Sequence, residues 1–208
     1  MRRHEPGAVS ERGSFEADRA AGEVAELRTR IREQQRSMSK VSTRLSYAVL
    51  DRNERKEHWR EVAGQYHESG YGERTPLDWM REAGRDPEAV ALGREFLIAA
   101  EHGDAATIMS FLNAGFPANW QDPETGEAAL HVAAACKARK VLRILLDTGF
   151  CDYLLRDAQG RLASELAYLF GEDPAAARLL GNKERKQAEA QGVALKRRGT
   201  PTHQLVRR

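Results

Sequence analysis

The sequence predicts an all-α protein in which a long N-terminal helix, able to form a coiled coil, precedes a short solenoid of helix pairs. Three observations carry this prediction. Ala99-Ala100 through Leu112 and Gly115-Phe116 returns 34 residues later as Ala133-Ala134 through Leu146 and Gly149-Phe150, and partly again as Ala167 through Leu180 and Gly181. A repeat of that period marks stacked units, none of which can bury its apolar face alone. Within Ile108 to Leu112, Leu130 to Cys136 and Val141 to Asp147, apolar residues recur three and four positions apart, as one-sided helices require. Upstream, no proline interrupts the chain between Gly7 and Thr75.

The elements follow in order. Residues 1–13 read as a disordered start, and Met1 to Pro6 lacks the apolar core of a signal peptide, so a cytoplasmic location is expected. Residues 14–69 read as one long helix. Ala17, Val24, Ile31, Met38 and Leu45 fall at heptad position a, with Ala20, Leu27, Gln34, Val41 and Ala48 at d. Such a seam, with Val24, Leu27, Ile31, Met38, Val41 and Leu45 as its large residues, serves either a homodimer or packing of the helix on its own chain.

Gly70-Tyr71-Gly72 breaks the pattern, and residues 70–93 read as a linker with a degenerate capping unit that carries Thr75-Pro76 and Asp86-Pro87 as helix starts. Residues 94–191 hold the repeats. Gly115, Gly149 and Gly181 sit where second helices stop, yet the helix that starts at Asp173-Pro174 is expected to run on to about Gly192. Asp122-Pro123 and Asp157-Ala158-Gln159-Gly160 supply turns between units.

Gly126-Glu127-Ala128-Ala129-Leu130-His131-Val132-Ala133-Ala134, followed by Val141 through Gly149, resembles the ankyrin repeat, whose pattern is Gly-x-Thr-Pro-Leu-His-x-Ala-Ala and then Val-x-x-Leu-Leu-x-x-Gly. The resemblance covers residues 90–186. Ala128-Ala129 and Leu162-Ala163 replace its Thr-Pro, and Lys137 stands where a left-handed glycine is usual. The resemblance implies that His131 hydrogen-bonds loop backbone and fixes neighbouring units. It also implies a concave contact surface. Carried onto this chain, its hairpin tips are Trp120, Gln121, Glu124, Leu154, Leu155 and Arg156, and its helix positions include Val132, Cys136, Leu169 and Phe170.

Composition narrows the rest. At 41% hydrophobic and 31% charged residues, with no long apolar run, the chain does not read as a membrane protein. Arg far outnumbers Lys, a bias that suits a GC-rich bacterial gene. Cys136 and Cys151 form neither a disulfide framework nor a metal pattern, and His58 and His67 lack the spacing of a helical zinc site. His131 and Cys136 lack a third orienting group, and Gly70-Tyr71-Gly72 is no dinucleotide fingerprint, so no enzyme activity, metal or cofactor is expected.

From Gly181 to the end there are eight Lys or Arg against two Glu, including Lys196, Arg197, Arg198, Arg207 and Arg208. Residues 192–208 thus read as a basic tail. It is a solvated end, a weak nucleic-acid contact, or an export address resembling those read by type IV secretion systems. The function expected from the sequence is non-catalytic protein recognition, by an adaptor that binds a protein partner through the stack. The alternatives are an effector secreted into a host cell and a nucleic-acid-associated adaptor.

Overall fold

A computed structural model describes residues 10–39, 51–68 and 87–195, and eight helices lie among them. They are α1 (Ser10–Ser39), α2 (Arg52–Glu68), α3 (Pro87–Glu101), α4 (Ala105–Asn113), α5 (Ala129–Ala135), α6 (Arg139–Thr148), α7 (Ala163–Leu169) and α8 (Pro174–Gln191). The fold is all-α. None of these helices is long and apolar enough to cross a membrane.

Six of them form two rows. First helices α3, α5 and α7 lie side by side, and each packs on the helix that follows it, so α4, α6 and α8 make a second row. The small residues Ala100, Ala133, Ala134 and Ala167 are completely buried in the first row, which allows the close approach. Each pair is joined by a turn closed in the same way, with one more residue in the third turn than in the first two. The Asp104, Ala138 and Asp173 amides donate to the Ala99, Ala133 and Ala167 carbonyls, at 2.9, 2.9 and 3.0 Å. Asp104 caps α4 by accepting from the Ala106 and Thr107 amides, and Asp173 caps α8 by accepting from Ala176 just after Pro174.

The turn requires a left-handed residue. Gly103 fills that place in the first pair with φ of 69°, whereas Lys137 fills it in the second with φ of 55°. An exposed lysine there bears the Cβ–carbonyl clash that glycine avoids. Lys137→Gly should therefore stabilise the protein by about 0.5–1 kcal/mol, read from urea unfolding midpoints. An unchanged or lower midpoint would show that the turn is not strained.

Two corrections concern the N-terminal region. The 14–69 segment is not a single rod, because α2 starts afresh at Arg52. The Asp51 carboxylate accepts from the Asn53 and Glu54 amides, while Glu54 accepts from the Asp51 amide, a reciprocal capping box. Nor is the α1 seam free. Val24, Leu27 and Ile31 are 2–3% exposed because α1 packs on α4 and α3. Their heptad spacing is used within the chain, so they do not offer a dimer surface. The Met38 side chain, Val41 and Leu45 lie outside the described residues, as do residues 75–86 of the capping unit.

Helix α2 completes this cover. Arg55 Nε donates to Asp147 on α6 at 2.8 Å, and His58 Nε2 meets Asn113 Oδ1 on α4 at 3.1 Å. Trp59 and Val62 are buried beneath it. The core therefore runs from Val24 through the pairs to Leu180 and includes an aromatic cluster of Phe96, Phe111, Phe116 and Trp120, with ring centroids 4.9 to 6.3 Å apart. Downstream, α3 runs unbroken from Pro87 through Arg94, so the sequence boundary at 93/94 falls inside a helix. Gly181 is no stop either, for α8 passes through it and ends at Gly192.

Candidate recognition surface

The hairpins between pairs are built on buried aspartates. Asp122 accepts from the Glu124 and Thr125 amides and pairs with Arg94 at 2.7 Å; Asp157 accepts from the Gln159 and Arg161 amides and pairs with Arg161 at 2.6 Å. Burial alone would raise both carboxyls, but their arginines and turn amides together hold them below the ordinary value. Adjacent hairpins are tied by Gln121, whose Nε2 donates to the Gly126 carbonyl at 2.6 Å and the Arg156 carbonyl at 2.9 Å.

His131 is the second tie. Its Nδ1 accepts from the Ala128 amide at 3.1 Å, which puts the proton on Nε2, and Nε2 donates to the Leu155 carbonyl of the next hairpin at 3.1 Å. One pair later Glu165 holds the same place, accepting from the Leu162 amide at 2.8 Å. Burial pushes His131 below its ordinary value of 6.5, only partly opposed by the Leu155 bond and by Asp157. The unfolded chain therefore takes up the proton first as pH falls. The His131 contribution is whole above about pH 6.5 and declines as the pH drops toward the folded-state value. Unfolding free energies measured between about pH 7.5 and about pH 5.5 should fall in the wild type and stay flatter in His131→Gln. Parallel slopes would remove His131 from the acid response.

The sequence-predicted contact residues divide into two groups. Trp120 is completely buried and lies against Gly93 of α3, where a Cβ would overlap the indole. It is a core residue and not a docking residue. Among the other tip residues, Gln121, Leu154, Leu155 and Arg156 are half-buried, and Glu124 is exposed and pairs with Arg94 at 3.1 Å. Their polar groups hold the tips in shape. The Leu154 amide donates to Asp152, and Arg156 donates to the Gly160 carbonyl.

The first-helix row supplies the open surface. Residues at the repeat offset line up as Ile98, Val132 and Leu166, as Glu101, Ala135 and Leu169, and as His102, Cys136 and Phe170. Ile98, Leu169 and Phe170 are 51%, 49% and 59% exposed; Cys136 is exposed, Val132 half-buried and Leu166 buried. The Arg161 guanidinium lies over the Phe170 ring, 5.3 Å from its centroid, and steadies it. Tyr168, 65% exposed, adjoins them and was not anticipated. Its equivalents Ala100 and Ala134 are buried, so the offset itself was the signal.

The cysteines are chemically quiet. Burial, then Glu101 and Glu127, hold the Cys136 thiol above its ordinary value. Cys151 is buried, donates to the Leu145 carbonyl at 3.2 Å, and is pushed up to about 12. The basic residues Lys196, Arg197, Arg198, Arg207 and Arg208 lie outside the described residues.

No family model matches the chain. Over 66 residues it is 38% identical to L-asparaginase from Dirofilaria immitis, a stretch amounting to 32% of this chain and 11% of that protein. The chain thus spans about a tenth of the length of the relative it matches. This similarity corrects the sequence-based exclusion of enzyme activity, since a third of the chain resembles part of a protein named as an enzyme. So short a stretch carries no activity over to this chain.

Proposed function

We propose that the chain is a protein-recognition module, an ankyrin-type stack whose first-helix row docks a protein partner. The observation that carries this reading is the group of large apolar side chains, Ile98, Leu169 and Phe170, standing about half exposed on the first helices of a chain with mean hydropathy of −0.64. Supporting it, an offset of 34 or 35 residues recurs in helices, turns and hairpins, and His131 makes the loop bonds that the ankyrin resemblance implies. Aromatic and aliphatic groups of this kind act as interface anchors when a partner excludes water around them.

Affinity capture with the wild-type chain and with a Leu169→Ser, Phe170→Ser variant tests the reading. A protein retained by the wild type, lost with the variant, and bound directly when purified is the expected result. The variant should unfold within about 0.5 kcal/mol of the wild type, because the replaced side chains are already wet. Identical captured sets from the two baits would reject the surface.

A further inference from the structure

The second-helix row holds another surface, independent of the first-helix row. Between α6 and α8 runs a groove lined by the apolar Leu142, Leu146, Ala176 and Leu179, by Arg143 and Lys183, and by two ion pairs, Arg139 with Asp173 and Arg55 of α2 with Asp147. The groove one repeat upstream, between α4 and α6, shows what such a channel accepts. It is covered by α2, an α-helix whose Arg55, His58, Trp59 and Val62 fall on one stripe at helical spacing and reach both walls.

Equivalent positions in the two grooves differ in the residues that face an occupant. Ala105 and Met109 of α4 become Arg139 and Arg143 in α6. Met109 is 6% exposed under its cover, whereas Arg143 is exposed; counted from the helix starts Arg139 and Pro174, which are 35 residues apart, Ile144 on α6 corresponds to Leu179 on α8, and they are 5% and 48% exposed. Arg139 is bonded to Asp173, while Arg143 and Lys183 make no ion pair among the described residues, although the Lys183 ammonium lies over the Tyr153 ring, 5.7 Å from its centroid. The downstream groove thus keeps an apolar interior, gains Arg139 and Arg143 together with Asp147 in place of Asn113, and, with Asp147 and Asp173 paired to Arg55 and Arg139, is left with Arg143 and Lys183 as its unbalanced charges.

We propose that the α6–α8 groove is a docking site for an acidic amphipathic helix of a partner protein. Its apolar stripe would lie on Leu146 and Leu179, as the α2 stripe lies one repeat upstream. Carboxylates flanking the stripe would meet Arg143 and Lys183, giving attraction that salt weakens. Such a helix-in-groove contact reads its partner at i, i+3, i+4 and i+7.

The test uses the full chain and a fluorescein-labelled synthetic helix carrying leucines on one stripe and glutamates on both flanks, followed by fluorescence anisotropy. Saturable binding is expected. Arg143→Glu and Leu179→Ser should each weaken it by at least about tenfold, while Lys140→Glu, an equal charge change outside the groove, should leave it within about twofold. All three replace exposed side chains, and circular dichroism would verify that they fold.

Several results would overturn the proposal. These are equal binding of a lysine-flanked peptide with the same leucines, equal binding of a shuffled peptide of the same composition, or no effect of Arg143→Glu. Displacement of the peptide by oligothymidylate at lower concentration than by unlabelled peptide would assign the cations to nucleic acid instead. Concentration-dependent dimerisation abolished by Leu179→Ser would give the groove to a second copy of the chain.

Discussion

Replacing Trp120 by alanine is expected to lower unfolding free energy by about 3–5 kcal/mol, the range for removing a wholly buried large aromatic. The indole is completely buried against Gly93, and its ring lies 6.3 Å from that of Phe116 in the cluster that fills the first pair. Gly93 and Trp120 should be coupled. A Cβ at position 93 overlaps the ring, so Gly93→Ala in the wild type should cost about 1–3 kcal/mol through overpacking, despite the better helix propensity of alanine. In a Trp120→Leu background much of that cost should vanish, and a double-mutant cycle from urea unfolding would measure the difference. Independent effects of the two substitutions would mean that the indole does not rest on α3.

The second large effect is expected at Glu184. This carboxylate is 1% exposed, and it reaches from α8 to the start of α7, where Oε1 accepts the Ser164 amide at 3.0 Å and Oε2 accepts the Ser164 hydroxyl at 2.7 Å. Alanine there would strand an N–H and an O–H in a dry site. Glu184→Ala should therefore cost about 2–4 kcal/mol, the sum of lost charge-assisted bonds and unpaired donors. Glu184→Gln keeps one amide oxygen as an acceptor and should lose less. On the same helix Glu189 is exposed, and Glu189→Ala should fall within about 0.5 kcal/mol of the wild type. Similar small losses for all three would show that α8 is only loosely applied to α7.

Most of the paired helices were legible in the sequence because their signals are local. The spacing of Leu130, Ala133 and Ala134, the Asp-Pro helix start at Asp173, and the offset of 34 each depend on a few neighbouring residues. What escaped were properties that depend on distant residues. The heptad spacing of Val24, Leu27 and Ile31 looks the same whether it faces a second copy or the chain's own α4. Trp120 was misread because tryptophan is favoured in interfaces and in cores alike. A glycine in the interior of an otherwise good helix was the available hint, since Gly93 makes sense only where something large lies against it.

Two capping interactions were also missed, for different reasons. Asp51-Arg52-Asn53-Glu54 is a visible acidic capping box and would have divided the N-terminal helix in two. Glu184 gives no local sign. It lies in a polar stretch that reads as a solvated face, and only the position of Ser164 on another helix draws it inward.

The central claim is that α1 closes the second-helix row of its own chain. The most direct test mixes chains carrying ¹³C-labelled methyl groups with unlabelled chains and records isotope-filtered Overhauser contacts from Val24, Leu27 and Ile31. Contacts from these methyls to α4 within the labelled chain, and none across chains, are expected. Contacts that cross between chains, with none to α4, would make the helix a dimer seam and contradict the account.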